Sequence, residues 1–153
     1  MLSNHFSWEE VEHSTTADTK GINNHIPSDL KPNAQRVADA MELVRSLLGS
    51  HPLKINSWYR CASLNSAIGG SSKSAHMKGL AVDFEPTNMT NEEAFKLIVE
   101  SSIEFDQLIH EGTKSGADWI HFGLSTNPAR REVLMASGNA LGGPMVFTRV
   151  ALG

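Results

Sequence analysis

The sequence predicts an α+β fold, a small antiparallel sheet with helices packed on one of its faces. Three observations carry this. Between Asn33 and Leu48, apolar Val37, Met41, Val44 and Leu48 recur at helical spacing. Residues 107–111 and 119–124 read as strands joined by the turn Gly112-Thr113-Lys114-Ser115-Gly116, a β-hairpin. In Leu80-Ala81-Val82-Asp83-Phe84-Glu85, and again in Trp119-Ile120-His121-Phe122-Gly123-Leu124, every second residue is bulky and apolar, so each segment buries one face.

The remaining elements follow in chain order. Ser7 and Glu10 form a capping-box pattern, which places a short helix at 8–13. Residues 14–32, rich in Thr, Asn and Pro, read as an irregular entry segment. The periodic helix comes next, with Gly49 as its stop. Leu53 to Ser57 reads as a short strand and 61–68 as a short helix, and Gly69-Gly70-Ser71-Ser72-Lys73-Ser74 is a loop by composition. Thr90 and Glu93 repeat the capping pattern and open a helix whose Ala94, Leu97 and Ile98 share a face. Beyond the hairpin, Asn127-Pro128 could start a helix, whereas Glu132-Val133-Leu134-Met135 could extend a strand. No structure is assigned to the tail over 138–153.

Composition excludes several classes. With 153 residues, no internal repeat and no low-complexity linker, a single domain over 1–153 is the simplest organisation. A formal charge of −4 argues against nucleic acid as a partner, because the phosphate backbone demands a basic face. Cys61 is the only cysteine, so neither an intrachain disulfide nor a Cys-based zinc knuckle can form, and it reads as a small packed side chain. No apolar run reaches the roughly 18 residues of a membrane span. Residues 1–10 lack the basic start and apolar stretch of a signal peptide. The expectation is a monomer without membrane insertion, made in the cytoplasm.

Chemistry concentrates on three residues. Parity turns Asp83 away from Val82 and Phe84, and His121 away from Ile120 and Phe122, so two strands each bury one face and offer a ligand-type side chain on the other. His76 arrives from the loop just before the first of these strands. Two imidazoles and one carboxylate suit a divalent zinc ion and leave its fourth coordination position open, which separates a catalytic site from a structural one. His5, His13, His25 and His51 lie in polar or turn-like contexts and read as surface residues. His110, beside the proposed site, is a candidate for hydrogen bonding to a ligand or substrate.

Ser74-x-His76-x-x-Gly79-x-Ala81-x-Asp83, followed by Trp119-x-His121, resembles the zinc D-Ala-D-Ala carboxypeptidases and L-Ala-D-Glu peptidases that cleave bacterial peptidoglycan. Hedgehog signalling domains share that fold. Ile55-Asn56-Ser57-Trp58-Tyr59-Arg60 resembles the family's strand ending in Ser-Gly-Tyr-Arg, with Trp58 in place of the usual Gly, and Asn65 and Gly69-Gly70 fit the segment after it. Phe105-Asp106-Gln107-Leu108-Ile109-x-Glu111 fits the strand before the last ligand, and Ser14, Ala17, Asn24 and Pro27 resemble the entry segment of the phage and prophage branch. The likeness spans roughly residues 6–135.

The resemblance implies one Zn2+ on His76, Asp83 and His121, with a peptidoglycan stem peptide as substrate. It implies that Arg60 binds the carbonyl oxygen or a substrate carboxylate, and that Ser74 touches substrate or supports the site. Trp119 floors the cleft or packs into the core. Two acids compete as general base. Asp118 matches the Glu/Asp-x-x-His arrangement of several relatives, and Glu111 matches the Glu that hedgehog domains and the phage branch place at the end of the preceding strand. Glu111 is favoured because its longer side chain can reach across the hairpin. The expected protein is therefore a zinc peptidoglycan peptidase of carboxypeptidase or endolysin type, waiting in the cytoplasm or carried in a virion. The alternative is a zinc-containing binding module of the same fold without turnover.

Overall fold

Three of the helices begin on hydroxyl caps that the sequence supplies, at Ser7, Ser14 and Thr90. In the computed structural model, which describes residues 1–112, 116–126, 129–137 and 146–149, helix α1 (Trp8–Glu12) opens on a reciprocal capping box between Ser7 and Glu10. Ser14 accepts from the Ala17 N–H and starts α2 (Thr15–Lys20), which Gly21 ends at φ 67°. A 3₁₀ turn over Ser28–Leu30 follows. Residues 14–32 thus hold α2, the 3₁₀ turn and the start of α3, with irregular chain at 22–27 between them; a Ser cap and a left-handed glycine confine α2 to less than two turns, too short for apolar periodicity. Helix α3 (Lys31–Leu47) buries Ala34, Val37, Ala38, Met41 and Val44. It starts ahead of the apolar pattern, since Pro32 is tolerated in a first turn that needs no amide donor there.

Next come strand β1 (Leu53–Ser57), helix α4 (Ala62–Ala67), a 3₁₀ turn over Ala75–Lys78 and strand β2 (Ala81–Pro86). Helix α5 (Asn91–Glu100), capped by Thr90, buries Ala94, Phe95 and Ile98. Leu97 is turned outward and is 38% exposed, so the predicted face is corrected by one position: Phe95, not Leu97, joins Ala94 and Ile98.

Strands β3 (Gln107–Gly112), β4 (Asp118–Gly123), β5 (Glu132–Ser137) and β6 (Val146–Arg149) complete a six-stranded sheet ordered β1-β2-β4-β3-β5-β6. Neighbours run antiparallel except β3 and β5, so the sheet is mixed rather than purely antiparallel. The cause is local. β4 ends beside the start of β3, where Gly123 faces Gln107, and its other edge is taken by β2. A chain that returns from that point to the free edge of β3 starts beside the start of β3 and so runs in the same direction. Hydrogen bonds from Arg131 N to Phe105 O (3.1 Å) and from Glu132 N to Asp106 O (2.9 Å) fix the entry to β5. The tail over 138–153 thus includes β6, while 138–145 and 150–153 lie outside the described residues, as do turn residues 113–115 and the Asn127-Pro128 dipeptide.

Register divides the sheet into two chemistries. Val82, Phe84, Leu108, Ile120 and Phe122 face the helices and join their buried residues in one apolar core. Asp83, Ile109 and His121 lie side by side on the opposite face. No helix among the described residues is long and apolar enough to cross a membrane.

Candidate metal centre

His76, Asp83 and His121 come together on that second face, with one potential ligand atom from each within 4.8 Å of the others. All three are buried. Asp83 and His121 are paired across β2 and β4, so the ladder sets their spacing. His76 is carried by the 3₁₀ turn, which Ser74 caps by accepting from the His76 N–H at 3.2 Å. Gly79 closes the turn at φ 71°, and a Cβ there would meet Ile26 Cδ1 at 3.2 Å and Leu30 O at 3.6 Å.

The orientation of the His76 imidazole is set by the backbone. His76 Nδ1 lies 2.6 Å from the Trp58 carbonyl oxygen, which can only accept, so Nδ1 carries the proton and Nε2 presents a lone pair. That Nε2 stands 3.3 Å from Asp83 Oδ1, and His121 Nδ1 stands 3.0 Å from the same oxygen. The two rings meet edge to face at 5.1 Å.

Burial and mutual charge shift all three groups. Burial disfavours the Asp83 carboxylate, yet the charges and hydrogen bonds of His76 and His121 outweigh it and hold its pKa far below the usual range. Burial keeps the His76 pKa down, against the pull of Asp83. At His121 burial acts the same way, but the hydrogen bond and charge of Asp83 exceed it and raise the pKa. The donor set, two imidazoles and an ionised carboxylate converging without a fourth protein ligand among the described residues, fits a divalent zinc ion with an open coordination position.

The competing acids part company across the sheet. Glu111 pairs with Trp119 across β3 and β4, two residues along from the Ile109–His121 pair, and so shares the face of His121. Burial raises its pKa and the charge of Asp83 adds to the shift; His121, the Trp119 indole and Arg60 oppose it. Asp118 begins β4 on the opposite face, with Ile120. There it accepts from Asn91 Nδ2 at 2.8 Å and pairs with His110 Nε2 at 3.0 Å. His110 packs against Phe95 of α5 at 5.6 Å, which takes it out of reach of the metal face and corrects the expectation of a ligand or substrate contact.

Arg60 follows β1 and is half-buried, its pKa lowered by burial and pulled back up by Asp83 and Glu111. Its Nη2 donates to Ser74 Oγ at 3.2 Å, its backbone N–H donates to His76 O at 3.1 Å, and its Nε is buried without a partner. Trp119 is half-buried, and its indole Nε1 also closes no direct hydrogen bond despite its nearness to Glu111. Trp58, where relatives are expected to carry Gly, is fully buried and packs edge-on against Phe6 at 6.1 Å. Cys61 is only half-buried and caps α4 through its sulfur.

One supporting residue had no sequence signal of its role. Asn24 is buried, donates to Glu12 O (2.9 Å) and Tyr59 O (3.0 Å), and accepts from Cys61 N (2.8 Å), gripping the backbone on both sides of Arg60. Such a clamp depends on a distant chain segment, which neither periodicity nor turn chemistry around Asn24 could reveal.

An α+β sheet that presents a buried His-Asp-His cluster, with an arginine and a carboxylate on the same side, defines a metallopeptidase-type domain. The chain belongs to the Peptidase M15 family, a zinc-dependent family whose model matches residues 4–123. Among curated proteins no match was found. The matched span contains the metal cluster, Arg60, Glu111 and β1 to β4; β5 and β6 extend the sheet beyond it.

Proposed function

We propose that the protein is a zinc-dependent peptidoglycan hydrolase that cuts a peptide bond in bacterial cell-wall stem peptides, with His76, Asp83 and His121 as the metal ligands. The observation that carries this reading is the convergence of two imidazoles, that of His76 oriented by the Trp58 carbonyl, on a buried carboxylate within the family-matched span. Zinc held there would supply Lewis acidity and lower the pKa of water toward about 7.

The other roles belong to the chain's own groups. Glu111 is the general base: it takes a proton from the attacking water and returns it to the leaving amine. Its raised pKa suits both halves of that task, because a carboxylate that binds a proton more readily is a better acceptor and still releases it to an amine. Arg60 holds the substrate's carbonyl or carboxylate oxygen, with its fork partly committed to Ser74. Trp119 walls the cleft beside Glu111. Asp118, tied to His110 and Asn91, fixes the start of β4 and the hairpin that carries Glu111. A binding module of this fold would have no use for a half-buried carboxylate beside the metal cluster, which favours turnover. The entry segment with Ser14, Ala17, Asn24 and Pro27 favours an endolysin-type enzyme of phage or prophage origin.

Mass spectrometry of purified muropeptides after digestion tests the reading. Loss of a terminal D-Ala, scission between L-Ala and D-Glu, and opening of a cross-link give different products. Muropeptides left unaltered by the zinc-loaded protein would refute it.

A further inference from the structure

Beside the metal centre, the outer edge of β1 carries chemistry that the proposed hydrolysis leaves unused. β1 is the edge strand of the sheet, and among the described residues no backbone hydrogen bond closes its free side. Along it runs a groove of about 400 Å³, with Lys54, Asn56 and Ser57 on the strand side and His13, Thr15 and Thr16 facing them. Leu64 and Ile68 of the α4 segment add an apolar wall, and among the described residues no Asp or Glu lines the groove. A groove with an ammonium, an imidazole, hydroxyls and an open strand edge suits an extended peptide bearing a carboxylate.

Arg60 joins this groove to the metal centre. It lines the groove, while its charge is felt by Asp83 and Glu111. Its buried Nε is left without a partner. Lys54 is shared with Glu85 at 3.6 Å, and Asn56 donates to the same carboxylate at 3.0 Å. The Lys54 side chain is 69% exposed, so that pairing is weak and readily exchanged for a ligand carboxylate.

We propose that the groove between β1 and His13–Thr16 is a second subsite, which receives a carboxylate-bearing arm of the peptide away from the bond being cut. The identity of the peptide rests on the peptidase reading; the subsite itself is tested without turnover. The probes are a cell-wall stem peptide with free side-chain carboxylates and the same peptide with those groups amidated. Each is titrated into zinc-loaded, full-length Glu111→Gln protein and followed by amide chemical shifts.

The free acid should shift the amides of 14–16 and 54–57, and amidation should weaken binding about tenfold, the loss of a charge-assisted hydrogen bond. Lys54→Gln should weaken the free acid about fivefold and leave the amidated peptide unchanged. Thr16→Trp, which fills the groove from the opposite wall, should remove the shifts at 54–57. Absence of binding, shifts confined to the surroundings of His76, Asp83 and His121, or equal effects of Lys54→Gln on both peptides would each overturn the subsite. The last two results would leave the peptidase reading standing. Groove shifts with both charge effects, in a protein whose wild type cleaves no muropeptide, would uphold the subsite and refute hydrolysis.

Discussion

Replacing Asn24 by Ala should destabilise the protein by about 3 kcal/mol and loosen Arg60. The side chain makes three hydrogen bonds to backbone, at 2.9, 3.0 and 2.8 Å, and the bond to Tyr59 O is buried. Leaving that carbonyl unsatisfied costs about 1–3 kcal/mol, and the two part-buried bonds contribute about 0.5–1.5 kcal/mol each. These contributions span about 2–6 kcal/mol, and in a chain of this length a loss of about 3 kcal/mol corresponds to a fall in Tm of about 6–12 °C. Urea unfolding followed by tryptophan fluorescence, at a fixed excess of zinc so that metal linkage is constant, measures the loss directly. Asn23→Ala, which removes only an exposed 3.0 Å bond to the His25 N–H, is the control and should stay within about 0.5 kcal/mol. Since Tyr59 and Cys61 flank Arg60, the Asn24 variant should also raise KM. A loss below about 1 kcal/mol would refute the clamp.

Three further outcomes follow from the site and its surroundings. Glu111→Gln should keep its zinc and lose about 10²–10⁴-fold in kcat, whereas Asp118→Asn should change kcat less than about threefold; steady-state kinetics giving the reverse order would exchange the two roles. Gly79→Ala should cost about 1–2 kcal/mol, because φ 71° is strained for alanine and the new methyl crowds Ile26. It should also weaken zinc binding in a chelator competition, since His76 sits in that turn, and unchanged affinity would show that the turn does not set the ligand. The Asp106 pKa is lowered by its hydrogen bonds and ion pair with Arg130, so its contribution is present above the ordinary carboxylate pKa of about 4 and is lost as pH falls below it. With Arg130 59% exposed the effect is at most about 1 kcal/mol. Asp106→Asn should remove that part of the acid sensitivity in urea titrations at about pH 7 and about pH 3, and an unchanged difference would discount the pair.

Much of this was legible in the sequence wherever a local period encodes a face. Leu80, Val82 and Phe84, then Ile120, Phe122 and Leu124, turned Asp83 and His121 away from the core, and the register pairs those two residues directly. The same rule is ambiguous at Glu111, because apolar Ile109 shares its parity. Ile109 is buried, yet it lies on the metal face beside His121 and outside the main apolar cluster. Apolar character marked burial there, not the helix side. Contacts between distant segments left no pattern at all: the Trp58 carbonyl that orients His76, the Asn24 clamp, and the parallel pairing of β3 with β5 each depend on where the chain returns in space. Helix α2 was missed because six residues between a serine cap and a glycine stop are too few to show a period.

The most direct test is elemental analysis of purified wild-type protein beside His121→Ala, with far-ultraviolet circular dichroism to show that both are folded. The wild type should carry about one zinc per chain and the variant should lose most of it. A folded His121→Ala protein that retains its full zinc content would contradict the metal centre on which the proposed hydrolysis depends.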